Sequence, residues 1–268
     1  MRLAVLAVLL LGLWSASASA DSGFVTMDDG VKLQYVLDEP TASPPAGGWP
    51  GVVVMHGLGG SADQVAPLAA EFAQHGYAAL AFSVRGQGTS TGSLGLAGPR
   101  DVADMKAMVA WLEAKPEVSD RVGCWGVSLG GGECWNATPS GIFDAVIPVA
   151  TWSDVATALW PQGVAKTGTL NSLGGASTLG AGAIATTLSP LVSALLAQRS
   201  VAAELPAVKT PVYLFQGRAD WVFDVDQALT AYGRVAGPRK LYIGEFGHVP
   251  ASFASPDFPS YVIAESVR

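Results

Sequence analysis

Apolar and polar residues alternate along the chain in blocks that predict short strands separated by helices. Continuous apolar runs, such as Gly51–Met55 and Tyr77–Val84, are typical of strands buried on both faces of a parallel sheet. After each of these runs a stretch has apolar residues at helical spacing, Ser61–His75 after the first and Pro99–Ala114 after the second. This alternation predicts βαβ units, and therefore a mostly parallel sheet with helices on both faces.

The remaining elements continue the same alternation. Two β-rich runs, Phe24–Met27 and Val31–Leu37, flank Asp28-Asp29-Gly30, which predicts a hairpin because Asp and Gly tolerate positive φ. The later strands are predicted at Arg121–Val127, Phe143–Val149, Pro211–Gln216 and Lys240–Ile243, and the later helices at Ser128–Ala137 and Val225–Val235. The fold class is therefore α/β, in one domain.

The first 20 residues have the layout of a secretory signal peptide. Arg2 precedes the apolar run Leu3–Leu13, and Ala18-Ser19-Ala20 is a suitable cleavage site. The apolar run of about 11 residues is short of the ~20 needed to span a bilayer. We expect residues 1–20 to be removed and the mature chain, residues 21–268, to be periplasmic or extracellular, without stable membrane insertion.

A long uncharged segment interrupts the alternation of strands and helices. Between Lys166 and Arg199 there is no Asp, Glu, Lys, Arg or His, and Gly, Ala, Ser, Thr and Leu predominate. Polar residues such as Asn171, together with Pro190, argue against a membrane span. We expect Ser153–Leu205 to form a mostly helical cap inserted over the carboxyl end of the sheet.

Composition excludes several classes of protein. The chain is 50% hydrophobic and 14% charged, which excludes disorder, and its formal charge of −7 does not suit nucleic acid. Two cysteines exclude a disulfide scaffold and a four-thiolate zinc site, and the histidines are too scattered to ligate a metal. We expect Cys124 and Cys134 to be buried small hydrophobic residues, with a disulfide as the alternative in an exported protein.

A candidate nucleophile lies where one predicted strand ends. Gly126-Val127-Ser128-Leu129-Gly130 follows an apolar strand and opens a helix, which is the context of a nucleophile elbow. In such an elbow the serine occupies a strained turn, so the residues two positions before and after it must be small. The alternative is a glycine-rich strand-to-helix turn that carries an ordinary serine.

A nucleophilic serine requires a base, and the chain has three histidines. His75 lies at a predicted helix end, and His56 precedes the serine in the chain. His248 follows the serine and lies in a loop after a late strand, the position expected of a base when the order is Ser, Asp or Glu, then His. We therefore assign His248 as the base.

The acid that orients this base should lie between Ser128 and His248. Asp220 follows the predicted strand at Pro211–Gln216, and we assign it as the acid. Asp224 and Asp226 are nearby alternatives that suit a loop and a helix N-terminus better.

Acyl transfer also requires donors for an oxyanion. The backbone N–H of Leu129, at the start of a helix, and that of Leu58, in a glycine-rich loop after an early strand, are the candidates. Trp152, Trp160 and Trp221 lie near predicted strand ends and the cap, and we consider them as the lining of an acyl pocket or, equally, as plain core packing.

Four motifs resemble the α/β-hydrolase superfamily. They are His56-Gly57-x-Gly59-Gly60, Gly126-x-Ser128-x-Gly130-Gly131, Gly217-x-x-Asp220 and Gly247-His248. Three further stretches are similar to the catalytic domain of the X-Pro dipeptidyl-peptidase and bacterial cocaine-esterase group: Arg85–Gly92, Arg121–Ser128 and Pro148–Asp154. The resemblance extends from about Phe24 to the C-terminus.

The chain departs from that group at two positions. Leu58 and Leu129 stand where the group has tyrosines, one of which donates to the oxyanion, so the resemblance implies two backbone donors, as in ordinary esterases. There is also no room for the group's large C-terminal β-sandwich, and the chain stops at Arg268, early in its expected last helix. These departures put peptidase specificity in doubt.

The sequence therefore predicts an exported serine hydrolase that needs no cofactor and acts on small carboxylic esters with an apolar portion. An amide- or peptide-cleaving relative is the first alternative. It requires carboxylates that recognise a substrate N-terminus, and the cap offers only Asp154 and Glu204. The second alternative is a catalytically silent fold used for binding, whose mark would be a missing triad residue.

Overall fold

The fold is organised around a single sheet. A computed structural model describes residues 20–176, 189–248, 255 and 257–268. Within these residues the strands are β1 Asp21–Thr26, β2 Lys32–Asp38, β3 Trp49–Met55, β4 Ala78–Phe82, β5 Val118–Val127, β6 Ala145–Val149, β7 Val212–Gly217 and β8 Arg239–Gly244. Their order in the sheet is β1-β2-β4-β3-β5-β6-β7-β8. The pairs β1/β2 and β2/β4 are antiparallel and the other pairs are parallel, which confirms the predicted α/β class.

Helices connect the strands. In chain order they are α1 Ala62–Gln74, α2 Pro99–Glu113, α3 Leu129–Ala137, α4 Val155–Leu159, α5 Thr167–Ala176, α6 Pro190–Ala197 and α7 Val225–Arg234. Near the C-terminus a π-helical segment, Phe258–Ile263, leads into Ala264–Ser266.

The two faces of the sheet are buried in separate cores. Cys124 of β5 belongs to a core that includes Met105 of α2, whereas the next residue, Trp125, belongs to a core that includes Phe72 of α1. Successive side chains of a strand point to opposite faces, so α1 and α2 cover opposite sides of the sheet. This explains why β4 and the C-terminal part of β3 are apolar at every position rather than at alternate positions.

The predicted insertion, Ser153–Leu205, corresponds to the connection between β6 and β7. The structure describes α4, α5 and α6 in it, and residues 177–188 lie outside the described residues. Trp152, just before the insertion, donates through its indole N–H to the carbonyl of Arg199, near the other end, at 2.7 Å. Ser153, the first residue of the insertion, donates through Oγ to the carbonyl of Gln227 in α7 at 3.0 Å.

The predicted signal peptide lies outside the described residues, except for Ala20. Among the helices that the structure does describe, none has both the length and the apolar character needed to cross a bilayer.

The two cysteines form the disulfide that the sequence left as an alternative. Cys124 and Cys134 are both buried, but they form a disulfide, with their Cα atoms 5.8 Å apart, and are therefore not two free thiols. Their contact arises because α3 folds back along β5 after the turn at Ser128. The bond therefore closes a covalent loop around that serine.

Candidate active site

Ser128 occupies the tight turn between β5 and α3. Its backbone has φ 57° and ψ −118°, a conformation that residues with a Cβ rarely adopt. A Cβ at Gly126 would overlap the carbonyl oxygen of Gly130, and one at Gly130 would lie 2.5 Å from the carbonyl oxygen of Met55. The turn therefore requires glycine at both flanking positions, and it presents the Ser128 hydroxyl at the carboxyl end of the sheet.

The structure brings together the predicted nucleophile, base and acid, which we call the relay. Ser128 Oγ lies 2.8 Å from Nε2 of His248, and Nδ1 of His248 lies 2.9 Å from Oδ2 of Asp220. With the proton on Nδ1, the imidazole donates to the carboxylate and Nε2 accepts from the serine hydroxyl. The Asp220 side chain is fully buried, whereas that of His248 is 13% exposed.

Hydrogen bonds on every side hold the Asp220 carboxylate. Oδ1 accepts from the backbone N–H groups of Val222 and Phe223, each at 2.9 Å, and Oδ2 accepts from Nε2 of Gln216 at 3.2 Å as well as from His248. Sequence reasoning missed Gln216. The sequence does contain one sign of its role: a single amide side chain at the end of the apolar run of β7, where burial of an unpaired polar group would be costly.

The alternative acids and one alternative base lie elsewhere. Asp224 precedes α7 as its N-cap residue and pairs with Lys166 at 3.5 Å, and Asp226 lies in the first turn of that helix. His75 ends α1, where Nδ1 lies 2.9 Å from the carbonyl oxygen of Glu71.

His56 is buried beneath the glycine-rich loop that follows β3. Its Nε2 accepts from the N–H of Val84 at 3.1 Å, and Nδ1 lies 2.7 Å from the carbonyl oxygen of Gly57. Burial lowers the pKa of His56, although the bond to Gly57 opposes this shift. A neutral imidazole therefore joins the loop after β3 to the end of β4.

The same loop lies against the nucleophile. A Cβ at Gly57 would be 3.5 Å from the Cβ of Ser128, and both predicted oxyanion residues, Leu58 and Leu129, line the cavity that contains Ser128. Leu129 is the first residue of α3, so its N–H has no acceptor within the helix. Sequence reasoning missed Gln87, whose Oε1 accepts from Gly59 N at 2.6 Å and so holds the loop from the far side.

Ser128 and His248 open into a cavity of about 670 Å³ that residues of α4, α5 and α6 help to line. Its wall contains all three predicted tryptophans: Trp152 and Trp160 are buried, and Trp221 is 58% exposed. Of the described residues that line the cavity, Arg199 is the only Lys, Arg, Asp or Glu. The chamber next to the serine is thus large enough for a small ligand and mostly apolar.

No group of three or more His, Cys, Asp or Glu residues suited to a metal ion occurs in the described part of the chain. The hydrogen bonds that join Ser128, His248 and Asp220 support nucleophilic attack by an activated serine.

Structural comparison supports the same fold. An esterase of Pyrococcus furiosus superposes with a TM-score of 0.66 at 20% identity, over 93% of this chain and 90% of that one. Est1E of Butyrivibrio proteoclasticus, solved with ferulic acid bound, gives a TM-score of 0.67 at 18% identity, over 91% of this chain and 96% of that one. An acetyl xylan esterase from a Paenibacillus species gives 0.66 at 18% identity, over 91% and 88%. These similarities establish the α/β-hydrolase fold.

Sequence comparison identifies the family. A 31.7 kDa protein from the traX-finO intergenic region of Escherichia coli is 29% identical over 114 residues, which are 41% of this chain and 38% of that protein. The match thus spans well under half the length of this relative. The profile of the X-Pro dipeptidyl-peptidase (S15) family matches residues 29–186. Because this match covers more than half of the chain, the protein belongs to the X-Pro dipeptidyl-peptidase (S15) family of serine hydrolases.

Proposed function

We propose that the protein is an exported serine hydrolase that cleaves carboxylic esters with an apolar acyl portion. The observation that carries the proposal is the hydrogen-bonded series Asp220–His248–Ser128, which opens directly into an apolar cavity. A relay of this geometry activates a serine for acyl transfer, and a chamber of this size and character suits a small apolar acyl group.

In the proposed mechanism Ser128 Oγ attacks the acyl carbon while His248 Nε2 takes the hydroxyl proton. The backbone N–H groups of Leu58 and Leu129 stabilise the negative charge on the former carbonyl oxygen. His248 then gives the proton to the leaving alcohol, and Ser128 retains the acyl group. Water, deprotonated by His248, releases the acid and restores the serine, while Asp220 keeps the imidazole in the required tautomer throughout.

The composition of the cavity favours an ester over a peptide with a free N-terminus. A substrate ammonium group needs a carboxylate, and among the described residues that line the cavity there is no Asp or Glu. Asp154, one of two carboxylates that the sequence offered, caps α4 by accepting from the N–H groups of Ala156 and Thr157. The other, Glu204, is exposed.

Two features support export. The first is the leader-like composition of residues 1–20. The second is the disulfide between the two cysteines of the chain, because such bonds persist mainly in oxidising compartments. Cell fractionation of the expressed protein, with the N-terminus of the mature chain determined, tests this part of the proposal. A mature chain that begins at Asp21 supports it, and a cytoplasmic chain that retains Met1 contradicts it.

The catalytic proposal is tested by the hydrolysis of p-nitrophenyl esters from acetate to palmitate. We expect activity in the wild-type protein, none above background in Ser128→Ala, and wild-type activity in Ser140→Ala. Ser140 is an exposed residue in the turn after α3, where its hydroxyl donates to the carbonyl of Ala137. If the folded wild-type protein cleaves dipeptidyl anilides and not esters, the peptidase alternative replaces the proposal. Inactivity on both classes favours a silent binding protein.

A further inference from the structure

The loop before α2 contains two residues in a conformation that only glycine adopts easily. Leu96 has φ 56° and Ala97 has φ 55°, and both residues are buried. In this left-handed region the Cβ of an L-residue crowds the following carbonyl. Such a backbone persists only where neighbours hold it, and it is concentrated at functional sites. Leu96 lines the same cavity as Ser128.

Helix α3, which begins directly after the nucleophile, holds this loop at Ala97. Glu133 Oε1 accepts from the Ala97 N–H at 3.1 Å, and Nδ2 of Asn136 donates to the Ala97 carbonyl at 2.8 Å. Both backbone groups of a strained residue are therefore fixed by side chains on one face of α3.

The cap and α2 hold the residues on either side. Arg199, which follows α6, donates through Nε to the carbonyl of Gly95 at 2.8 Å. Asp101 of α2 accepts through Oδ2 from the N–H of Gly98 at 2.9 Å. The loop is thus joined to the nucleophile helix, to the cap and to α2, and we call the four side chains Asp101, Glu133, Asn136 and Arg199 the 95–98 clamp.

The ionisable groups of the clamp are buried together. Burial is the main cause that raises the pKa of Glu133 well above its usual value and that of Asp101 to about 6. Burial lowers the pKa of the Arg199 guanidinium, and the nearby charges of Asp101 and Glu133 oppose that shift. Removal of Glu133 or Arg199 takes the side-chain partner from the Ala97 N–H or from the Gly95 carbonyl, so both side chains favour a single arrangement of the loop.

The position of Leu96 relative to His248 indicates which part of a substrate it faces. In the proposed mechanism His248, which follows β8, hands its proton to the leaving alcohol. Leu96 lies just before α2, which packs against β3, β5 and α3, whereas β8 is the edge strand on the far side of β6 and β7. The alcohol therefore departs on the His248 side, and Leu96 bounds the acyl side.

We propose that Leu96 is a specificity-determining residue that limits the length of the acyl group, and that the 95–98 clamp positions it. This inference rests on the proposed esterase function. A Leu→Ala change removes three carbon atoms from the pocket wall and makes room for a longer chain, whereas a phenyl ring in the same place shortens the pocket.

The test is the acyl-length profile of kcat/KM for p-nitrophenyl esters, measured for the wild type, Leu96→Ala and Leu96→Phe. We expect the optimum to move to longer chains in Leu96→Ala and to shorter chains in Leu96→Phe, with a change of about fourfold for each methylene gained or lost. A parallel series of acetate esters of increasing alcohol length should keep its wild-type order in both variants.

The role of the clamp is tested by Glu133→Gln, Glu133→Leu and Asn136→Ala. Glu133→Gln retains a neutral acceptor for the Ala97 N–H and should keep the wild-type profile, whereas Glu133→Leu should flatten the preference among acyl lengths. Because Glu133→Leu risks misfolding, Asn136→Ala, which changes a less buried side chain, provides the second measurement and should flatten the profile to a smaller extent.

The outcomes are distinguishable. A wild-type protein that is inactive on every ester overturns the proposed function and this inference with it. An active enzyme whose acyl profile is unchanged in both Leu96 variants, or whose alcohol series shifts instead, overturns the inference alone. An unchanged profile in both Glu133→Leu and Asn136→Ala overturns the positioning role of the clamp.

Discussion

The hydroxyl of Thr151 donates a hydrogen bond of 2.7 Å to the carbonyl oxygen of Ser128. On the other side of the same residue, the Ser128 N–H donates to the carbonyl oxygen of Val149 at 2.9 Å. The end of β6 and the residues after it therefore hold both backbone groups of the nucleophile. A turn with φ 57° at a non-glycine residue needs such support, because its own local energy is unfavourable.

Thr151→Val should impair catalysis more than substrate binding. The change keeps the shape of the side chain and removes the bond to Ser128, so we expect a loss of about 1 kcal/mol in the free energy of unfolding. A looser nucleophile should lower kcat by roughly tenfold, with KM little changed. Thr151→Ser, which retains the hydroxyl, should keep most of the activity. A Thr151→Val enzyme with wild-type kcat would show that this bond does not position the serine.

Asp220→Asn should abolish most of the activity without unfolding the protein. The amide is isosteric with the carboxylate, but it favours the wrong imidazole tautomer of His248, and the expected loss in kcat is about 10³- to 10⁴-fold. The measurement is ester hydrolysis, with circular dichroism as the check on folding.

Asp224→Asn is the matched control for Asp220→Asn. Asp224 lies on the same connection, but its carboxylate pairs with Lys166 and does not face His248. We expect activity within about twofold of the wild type, since this half-buried ion pair lies away from the imidazole of His248. A large loss of activity in Asp224→Asn, with a small loss in Asp220→Asn, would show that Asp224 and not Asp220 is the acid.

Glu133→Gln should become relatively more stable as the pH rises. Burial, with a smaller contribution from Asp101, raises the pKa of Glu133 above its usual 4.5. Above that pH the unfolded chain releases the proton and the folded protein retains it, so the free energy of unfolding of the wild type falls as the pH rises. Glutamine has no such cost. Urea unfolding of the two proteins between about pH 5 and about pH 8 measures the difference.

Asp101→Asn provides the comparison for this pH dependence. The pKa of Asp101 is raised to about 6, mainly by burial, so the advantage of the variant should stop growing near that pH. The advantage of Glu133→Gln should also grow with pH, because burial raises the pKa of Glu133 well above its usual value. Stability differences that stay constant with pH for both variants would show that neither carboxyl retains its proton in the folded protein.

Reduction of the disulfide should destabilise the protein around its nucleophile. Cys124 and Cys134 are ten residues apart in sequence, and a closed loop of this size contributes about 2–3 kcal/mol to the free energy of unfolding. We expect dithiothreitol to lower the Tm of the wild type, and to leave unchanged that of the double variant Cys124→Ala/Cys134→Ala. Two titratable thiols in the untreated, unfolded protein would contradict the bond.

Thr169→Val should stabilise the protein, whereas Thr138→Val should destabilise it. Both hydroxyls are buried, but Thr169 Oγ1 has no hydrogen-bond partner among the residues that the structure describes, and Thr138 Oγ1 donates to the carbonyl of Cys134 at 2.7 Å. Replacement of an unsatisfied hydroxyl by a methyl group removes a desolvation cost of about 1–3 kcal/mol, and replacement of a bonded one loses about 1 kcal/mol. Chemical denaturation measures the change in the free energy of unfolding of each variant. A destabilised Thr169→Val would show that the Thr169 hydroxyl has a hydrogen-bond partner in the wild type.

The strand and helix pattern was predictable because both faces of the sheet are buried. The run Gly51–Met55 is apolar at every position, and the structure makes it the C-terminal part of β3, a central strand with neighbours on both edges. Residues at strand ends were harder to place, and the predicted strand at Phe143–Val149 begins at Ala145 in the structure. The residue at which a strand begins or ends depends on its pairing with neighbouring strands more than on its own sequence.

The candidate relay was also accessible from sequence, since chain order and strand ends limit the choice of base and acid. The chain has three histidines, and His248 is the one that follows Ser128 at a strand end. Supporting residues such as Gln216 and Gln87 were not accessible. Their importance lies in hydrogen bonds to backbone groups distant in space, and an amide side chain in a sequence carries no sign of its partner.

The sequence by itself determined the α/β class and indicated Ser128, Asp220 and His248 as candidates, because hydrophobic periodicity, a glycine-flanked turn and the order of residues along the chain can be read without a structure. Tertiary structure alone decided that Cys124 meets Cys134, that three tryptophans share one cavity, and that Glu133 and Arg199 hold a strained loop beside the nucleophile. Each of these depends on how helices pack over the sheet, and packing brings together residues whose separation in the chain gives no indication of their contact.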